Sequence, residues 1–136
     1  MKKLVLALAA ALVFVSASAQ AQDRKLTILY SNDLHAHLEP HKVPWVSESR
    51  LVGGFANIAT LVKREKAANP FTVYFDAGDY FTGPYISSLT KGEAIIDAMN
   101  YLGLDAACVG NHEFDHGWQN AIEQFKKDVE AATGGK

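Results

Sequence analysis

Three short apolar runs, each followed by a stretch with helical periodicity, constrain the fold of this chain more than any other feature. The runs are KLTILY (25–30), FTVYF (71–75) and AACV (106–109), and they are rich in β-branched, aromatic or small apolar residues. Runs of this length and composition are typical of buried strands. Because they alternate with helical segments, the order βαβαβα predicts an α/β fold with a mainly parallel sheet and right-handed crossovers.

The helical segments are recognised by apolar residues that recur three and four positions apart. The first stops before Pro70, and the second is predicted to begin with Thr90 and Glu93 as a capping box and to end at Gly103. Residues 39–52 are polar, include two prolines and are predicted to form a long loop. The apolar positions of the three predicted helices are Phe55, Ile58, Ala59 and Val62; Ile95, Ala98, Met99 and Leu102; and Trp118, Ala121, Ile122, Phe125 and Val129.

The first 21 residues have the composition of a secretory signal peptide. Two lysines precede an apolar run from 4 to 15, and small residues follow at Ala17, Ala19 and Ala21. This run is shorter than the roughly 20 apolar residues that cross a bilayer. We therefore expect cleavage after Ala19 or Ala21, a single domain over 22–136, no stable membrane span after cleavage and a periplasmic or secreted product. Retention as an uncleaved anchor is the alternative.

Charge and cysteine content narrow the possible partners. Loss of Lys2 and Lys3 with the leader leaves 11 Lys and Arg residues against 15 Asp and Glu residues, a formal charge of −4. Such a chain lacks the basic face that nucleic-acid binding needs, so no nucleic-acid partner is expected. The one cysteine, Cys108, excludes an intramolecular disulfide, and its apolar neighbours predict a buried core residue.

A polar cluster follows each predicted strand directly. The clusters are SNDLHAHLEPH (31–41), DAGDYFTG (76–83) and GNHEFDHG (110–117), and all five histidines lie in the first and third of them. In open α/β sheets the carboxyl ends of parallel strands form the edge where ligands bind. A purely structural chain has no reason to sort its histidines in this way, so the sequence predicts a functional site at this edge.

The residue types in these clusters suit divalent metal ions. Asp33 and His35 offer a carboxylate oxygen and an imidazole nitrogen two positions apart. Asp79 adds a carboxylate that can bridge two ions, and Asn111 adds an amide oxygen. Such mixed ligands favour Zn, Mn, Fe or a similar ion, and two such ions form a clamp for displacement at phosphorus. Each motif alone is more often an ordinary loop or turn; three clusters at successive strand ends favour the metal site.

The motifs Asn32-Asp33-Leu34-His35, Gly78-Asp79 and Gly110-Asn111-His112-Glu113 resemble the signature of the calcineurin-like metallophosphoesterases. Longer stretches, among them NDLHAHLEP and VGNHEFDHG, are similar to the exported bacterial 5′-nucleotidase and UDP-sugar hydrolase branch of that family. The resemblance covers essentially the whole chain after the leader. It implies a metallophosphoesterase fold and two divalent metal ions.

The resemblance also implies roles for individual residues. His112 would stabilise the transferring phosphoryl group or assist the leaving oxygen, and Asp115 would orient His112. A capping or supporting role for His112 and a helix N-cap role for Asp115 are the structural alternatives. The implied metal ligands are Asp33 and His35 for one ion, Asp79 as the bridge and Asn111 for the second ion. The residues expected to have supporting or structural roles are His37, His41, His116, Asp76 and Glu113.

Proteins of this branch differ from the present sequence in length. They are several times longer, and after the Asn-His-Glu motif they carry further histidines that complete both metal sites and a C-terminal domain that grips the nucleoside. No histidine follows His116 here. We therefore predict a partial fold that lacks the second half of the domain, an incomplete dimetal site and little or no phosphatase activity in the isolated chain.

Two classes of function stay open. The chain is either the N-terminal part of an exported dimetal phosphoesterase or a non-enzymatic exported protein that binds a metal or a partner. In the first case it is a truncated product, a fragment or one piece of a split enzyme that a C-terminal half complements. The substrate, whether a nucleotide, a UDP-sugar, a cyclic nucleotide or a sulfur ester, is not specified, and neither is the metal.

Overall fold

The computed structural model describes residues 23–134, so the leader predicted at 1–21 lies outside the described residues. Within this range the strands are β1 (Thr27–Ser31), β2 (His41–Lys42), β3 (Leu51–Val52), β4 (Thr72–Asp76) and β5 (Ala106–Ala107). The helices are α1 (Phe55–Ala68), α2 (Tyr85–Thr90), α3 (Glu93–Leu102) and α4 (Trp118–Thr133), and a 3₁₀ turn, His112–Phe114, precedes α4.

Strands β1, β4 and β5 form a parallel sheet in that order. Thr27 lies opposite Thr72 and Ser31 lies opposite Asp76, so β1 and β4 end at the same level. Strand β5 pairs with the end of β4 through Ala106–Ala107. The predicted α/β class with a mainly parallel sheet is confirmed, and the loops that carry the polar clusters all leave from one edge of this sheet.

The core lies between the sheet and helices α1 and α3. Tyr74 points into it from β4 and is 2% exposed, whereas the next residue, Phe75, is 40% exposed on the opposite face. This alternation follows from the two-residue period of a strand. The buried apolar cluster consists of Ala36, Phe55, Ala59, Val62, Tyr74, Tyr80, Phe81, Ile95, Met99 and Leu102.

Helix α4 forms where its apolar period predicts it, but much of its apolar face is open. Ala121 is fully buried, while Trp118, Ile122 and Val129 are each about half exposed. The helix contacts α3 and the 3₁₀ turn. None of the helices between residues 23 and 134 is long and apolar enough to cross a membrane.

Several local predictions differ from the structure. The segment predicted as a loop contains the two-residue antiparallel pair β2 and β3, and helix α2 was not predicted. Gly92 occupies the N-cap of α3, so the predicted capping box does not form. The Thr90 hydroxyl instead donates to the Ile86 carbonyl and accepts the Ala94 N–H, which joins α2 to α3. Gly103 ends α3 as predicted, with a φ of 80°.

The prediction that Cys108 is a buried core residue is wrong, because its side chain is exposed. Cys108 directly follows β5, the edge strand of the sheet, and its N–H donates to the Asp76 carbonyl at 2.8 Å. Apolar neighbours in the sequence therefore did not imply burial here, since no strand lies on the outer side of β5 among residues 23–134.

Asp105 joins helix α1 to strand β4. One of its carboxylate oxygens accepts from the Lys66 ammonium at 2.6 Å and from the Tyr74 N–H at 2.7 Å. Lys66 also donates to the Gly103 carbonyl at 2.7 Å. The Lys66 hydrogen bond is the main cause that holds the pKa of Asp105 below its ordinary value of 3.8.

The lowered pKa of Asp105 gives an expected pH dependence of stability. A carboxylate whose pKa is lower in the folded state stabilises fully above its unfolded pKa, and this contribution is lost as the pH falls through the folded pKa. We expect Asp105→Asn to lower the free energy of unfolding modestly at pH 7 and less at pH 3, since the group is partly exposed. Urea unfolding at both pH values measures this, with Asp97→Asn on α3 as the control. An equal loss at the two pH values would contradict the assignment.

Candidate metal centre

The predicted site residues lie at the carboxyl edge of the parallel sheet. Asp33 and His35 follow β1, Asp79 follows β4, and residues 110–117 follow β5. Backbone hydrogen bonds tie the first two loops together: the Asp33 N–H donates to the Gly78 carbonyl and the His35 N–H to the Asp79 carbonyl, both at 3.0 Å. The first two clusters are therefore parts of one surface.

Three side chains converge on a common point at this edge. Ligand atoms of His35, Asp79 and His112 all lie within 4.8 Å of one another, and all three residues are half-buried. The Oδ1 atom of Asp33 lies 3.6 Å from Nε2 of His35, so Asp33 adjoins the cluster. Among residues 23–134 no other group of His, Cys, Asp or Glu side chains has this arrangement. The cluster thus contains two of the predicted ligands and His112, to which the resemblance gives a catalytic role.

Asn111 is placed beside the cluster but is exposed. Its carbonyl accepts the Phe114 N–H at 3.2 Å, and it caps the 3₁₀ turn. No hydrogen bond holds its side-chain amide within the described residues. Asn111 therefore directly precedes His112 as the exposed N-cap residue of the 3₁₀ turn.

The orientation of the His35 ring suits a metal ligand. Its Nδ1 lies 2.8 Å from the Thr82 carbonyl oxygen, which can only accept a hydrogen bond. Nδ1 therefore carries the proton, and Nε2 presents its lone pair toward Asp33 and the cluster. The loop after β4 fixes the tautomer of a histidine that follows β1.

The loops of the site are held in an uncommon backbone conformation. Positive φ angles occur at Asp33 (54°), His35 (45°), Ala36 (52°) and Asp79 (62°), a region that costs a non-glycine residue roughly 1–3 kcal/mol. Three of these four are predicted metal ligands. A Cβ atom at Gly110 would collide with the Asp79 carboxylate, so this close approach of the loops requires glycine.

Glu113 is a residue of the site that spacing alone did not reveal. Its side chain is 0% exposed. Its Oε1 accepts the N–H groups of Tyr80 and Phe81 at 2.8 and 3.1 Å, and its Oε2 accepts those of Asp79 and Gly110 at 3.0 and 2.6 Å. One buried carboxylate thus fixes the loops after β4 and β5. Its position beside His112 was the available signal, but the sequence did not show that it points inward.

Asp76 ties the ends of β1 and β4 together beneath the site. It is 2% exposed, its Oδ2 accepts the Ser31 hydroxyl at 2.5 Å, and its Oδ1 accepts the Gly78 N–H at 2.9 Å. The Ser31 hydroxyl also lies 2.7 Å from the Tyr74 hydroxyl. Burial is the main cause that raises the pKa of Asp76. Asp76 therefore supports the loop that carries Asp79.

His112 and Asp115 form a hydrogen-bonded pair on the surface of the site. Nδ1 of His112 lies 2.7 Å from an Asp115 oxygen, and the His112 N–H donates to Asp79 Oδ1 at 3.0 Å. The Asp115 hydrogen bond is the main cause that raises the pKa of His112, and the same bond lowers the pKa of Asp115. Because the Nδ1–H group donates to Asp115, Nε2 is the ring nitrogen of His112 that stays available to a ligand.

A parallel α/β sheet with imidazole and carboxylate groups converging at its carboxyl edge defines an α/β protein with a candidate metal-binding site. The family model "Calcineurin-like phosphoesterase" matches residues 26–134, and the chain therefore belongs to this family. The family implies divalent metal ions, and the cluster of His35, Asp79 and His112 offers part of such a site.

The chain is also similar to individual proteins and to a solved structure. The chain is 40% identical to bovine (Bos taurus) 5′-nucleotidase over 112 residues, which are 80% of this chain and 20% of that protein. It is 37% identical to a probable 5′-nucleotidase of Treponema pallidum over 110 residues, 78% of this chain and 18% of that protein. A crystal structure of the 5′-nucleotidase precursor from Thermus thermophilus matches with a TM-score of 0.68 and 36% identity, covering 76% of this chain and 20% of that one.

The predicted resemblance to calcineurin-like metallophosphoesterases and 5′-nucleotidases, including bacterial ones, is confirmed by these comparisons. The predicted partial fold is confirmed as well. The chain spans about a fifth of the length of the curated relatives it matches.

Proposed function

We propose that this chain is the N-terminal part of an exported two-metal phosphoesterase of the 5′-nucleotidase type. The observation that carries the proposal is the convergence of His35, Asp79 and His112 within 4.8 Å at the sheet edge of a calcineurin-like phosphoesterase. Several similar proteins are named 5′-nucleotidase, which supports a nucleotide or a related phosphoester as the substrate.

The chemistry of the donor groups fits divalent ions such as Zn, Mn or Fe. In the proposed site Asp33 and His35 would hold one ion, Asp79 would contribute its carboxylate to both, and Asn111 would contribute to the second. The free Nε2 of His35 and the strained, fixed loop of Asp79 support this arrangement. When bound, divalent ions supply polarisation of a phosphoryl oxygen and activation of water.

In the proposed mechanism His112 donates a hydrogen bond or a proton from Nε2 to a phosphoryl or leaving oxygen. Asp115 holds the ring through Nδ1 at 2.7 Å, so that only Nε2 is directed at the substrate. The Thr82 hydroxyl donates to the His112 carbonyl at 3.1 Å and fixes the backbone of this residue. Asp115 is therefore a positioning residue in this proposal.

The described residues provide only part of a two-metal site. Two ions of this kind take about four to six ligands each, more than Asp33, His35, Asp79, Asn111 and His112 supply together. We therefore propose that residues 22–136 alone bind metal weakly and turn over little substrate, and that a complementing C-terminal polypeptide restores hydrolysis. A non-enzymatic metal- or partner-binding role is the second candidate, favoured by the small number of donor groups.

Three hydrolyses test this proposal: AMP to adenosine and phosphate, UDP-glucose to UMP and glucose 1-phosphate, and a 2′,3′-cyclic nucleotide to a nucleoside monophosphate. We expect little hydrolysis by the chain alone in Mn²⁺ or Zn²⁺. The added polypeptide is the part of the Thermus thermophilus 5′-nucleotidase precursor that lies after the region matched here, and with it we expect clear release of phosphate from AMP. Robust turnover by the chain alone with two bound ions would refute the proposal that residues 22–136 bind metal weakly and turn over little substrate by themselves. No hydrolysis of any of the three substrates with the added polypeptide, despite complex formation, would favour the non-enzymatic role.

We also propose that the chain is exported to the periplasm or secreted, on the basis of its leader composition. The intact mass of the native product from producing cells tests this proposal. A mass that corresponds to an N-terminus at Gln20 or Gln22 is expected, and a product that retains Met1 would contradict cleavage. The same mass shows directly how long the natural chain is.

A further inference from the structure

We infer that Thr82 is a positioning residue that holds the His35 and His112 rings of the proposed site in one fixed arrangement. Its backbone carbonyl orients the first ring, and its hydroxyl supports the second. This inference rests on the proposed function, because it names the residue that aligns the proposed ligand His35 with the proposed catalytic residue His112.

Thr82 lies between two loops of the site that are far apart in the sequence. It follows β4, whereas His35 follows β1 and His112 follows β5. The next residue, Gly83, is so close to the first of these loops that an added Cβ atom would lie 1.8 Å from the His35 carbonyl oxygen. The backbone of residues 82–83 is therefore packed directly against the loop that carries His35.

The Thr82 carbonyl fixes the His35 ring. Nδ1 of His35 lies 2.8 Å from this oxygen and donates to it. Because the acceptor is a main-chain atom, a substitution of the Thr82 side chain that leaves the backbone in place keeps this bond. The orientation of His35 is therefore expected to be independent of the side chain at position 82.

The Thr82 hydroxyl supports the second ring in two ways. It donates to the His112 carbonyl at 3.1 Å, which holds the backbone of that residue. It also faces the Asp115 carboxylate: after the hydrogen bond from His112, the hydrogen bond from Thr82 is the next cause that lowers the pKa of Asp115. A hydroxyl has one hydrogen, so these two oxygens are alternative acceptors for it. The backbone of His112 and the acceptor of its ring thus share one support.

The result is a defined contact between the two imidazole rings. Their centroids lie 4.9 Å apart with an interplanar angle of 69°, which is an edge-to-face arrangement. Nδ1 of each ring is engaged in a hydrogen bond, at 2.8 Å to Thr82 and at 2.7 Å to Asp115. Both Nε2 atoms consequently stay available to a ligand. A β-branched residue suits this role, because its χ1 angle is restricted and its hydroxyl keeps one direction.

The tautomers of the two rings test this inference in the chain without metal or substrate. Two-bond ¹H–¹⁵N correlation spectra in EDTA at alkaline pH show which nitrogen of each neutral imidazole carries the proton. We expect both rings of the wild-type chain to be protonated mainly at Nδ1. A His112 ring that is protonated mainly at Nε2 in the wild-type chain would overturn the inference without any variant.

Thr82→Val removes the hydroxyl at nearly constant volume and keeps the carbonyl. We expect it to lower the ratio of the Nδ1–H to the Nε2–H form of His112 by roughly threefold to tenfold, as the loss of one hydrogen bond implies, and to leave the His35 ratio unchanged. Thr82→Ser restores the hydroxyl and is expected to return the His112 ratio to within about twofold of wild type. Thr90→Val is the matched control, because the half-buried Thr90 donates a similar bond, to the Ile86 carbonyl at 2.8 Å within helix α2.

Three results with these variants contradict the inference. They are an unchanged or raised His112 ratio in Thr82→Val, an equal change at His35, which would indicate general loosening of the fold, and an equal effect of Thr90→Val. If Thr82→Val does not fold, Thr82→Ala replaces it, since alanine also lacks the hydroxyl and adds no bulk, and the same fall in the His112 ratio is expected.

The outcomes separate this inference from the proposed function. A fall in the His112 ratio in Thr82→Val, together with no hydrolysis of AMP by the wild-type chain and the added polypeptide, supports the positioning role and counts against the phosphoesterase proposal. Hydrolysis of AMP, together with the same His112 ratio in the wild-type chain and in Thr82→Val, supports the phosphoesterase proposal and refutes the positioning role.

Discussion

Glu113→Ala is expected to lower the free energy of unfolding by about 4 kcal/mol or more. The Glu113 carboxylate is fully enclosed and accepts four backbone N–H groups, from Asp79, Tyr80, Phe81 and Gly110. Each buried donor left without a partner costs about 1–3 kcal/mol, so the loss of one side chain affects two loops at once. Urea unfolding at pH 7, followed by circular dichroism, measures this change.

Two further variants make the expectation for Glu113 specific. Glu113→Gln keeps one carbonyl oxygen and replaces the other with an amide group that cannot accept, so an intermediate loss of stability is expected. Glu123→Ala removes a 67% exposed carboxylate on α4 and is expected to change stability little. If Glu113→Ala and Glu123→Ala unfold at the same urea concentration, the hydrogen bonds to Glu113 do not stabilise the loops.

Asp79→Asn is expected to weaken binding of Mn²⁺ or Zn²⁺ by about 100-fold or more. Substitutions of groups that only support a ligand already cost roughly 10–100-fold, and Asp79 is proposed as a direct ligand. The asparagine oxygen can still accept the His112 N–H, which the aspartate accepts at 3.0 Å, so the fold is expected to persist. Calorimetric metal titration measures the affinity.

The control for Asp79 is Asp97→Asn, which neutralises an exposed carboxylate on α3 and leaves the net charge equal to that of Asp79→Asn. We expect wild-type metal affinity for this control and an unchanged urea midpoint for Asp79→Asn within the accuracy of the method. Equal metal affinities for the two variants would show that ions bind elsewhere. A large drop in the urea midpoint of Asp79→Asn would show that Asp79 acts mainly through the fold.

These two predictions are linked through the backbone of Asp79. Its φ of 62° is unfavourable for a residue with a side chain, and the Asp79 N–H is held by Glu113 at 3.0 Å. Strain of this kind persists only where neighbouring interactions fix the backbone. Glu113 therefore contributes to the geometry of the proposed ligand although it does not reach the cluster of donor atoms.

Local sequence patterns predicted the elements that repeat a simple period. Strand β4 was found from its run of β-branched and aromatic residues, and helix α1 from apolar residues that recur at helical spacing. The carboxyl ends of parallel strands predicted where Asp33 and Asp79 would lie. Helix α2 was missed because its six residues are too few to show a period. Cys108 was placed in the core because its apolar neighbours do not reveal that β5 lies at the edge of the sheet.

The sequence alone determined the α/β class, the order of the elements and the donor groups that gather at one edge, because these depend on periodicity and on residues adjacent in the chain. Only the tertiary structure decided which atoms meet. The turn of His35 toward Thr82 and the inward carboxylate of Glu113 depend on contacts between residues about 30 to 50 positions apart. Such contacts are fixed by how the loops pack, and no local pattern encodes that packing.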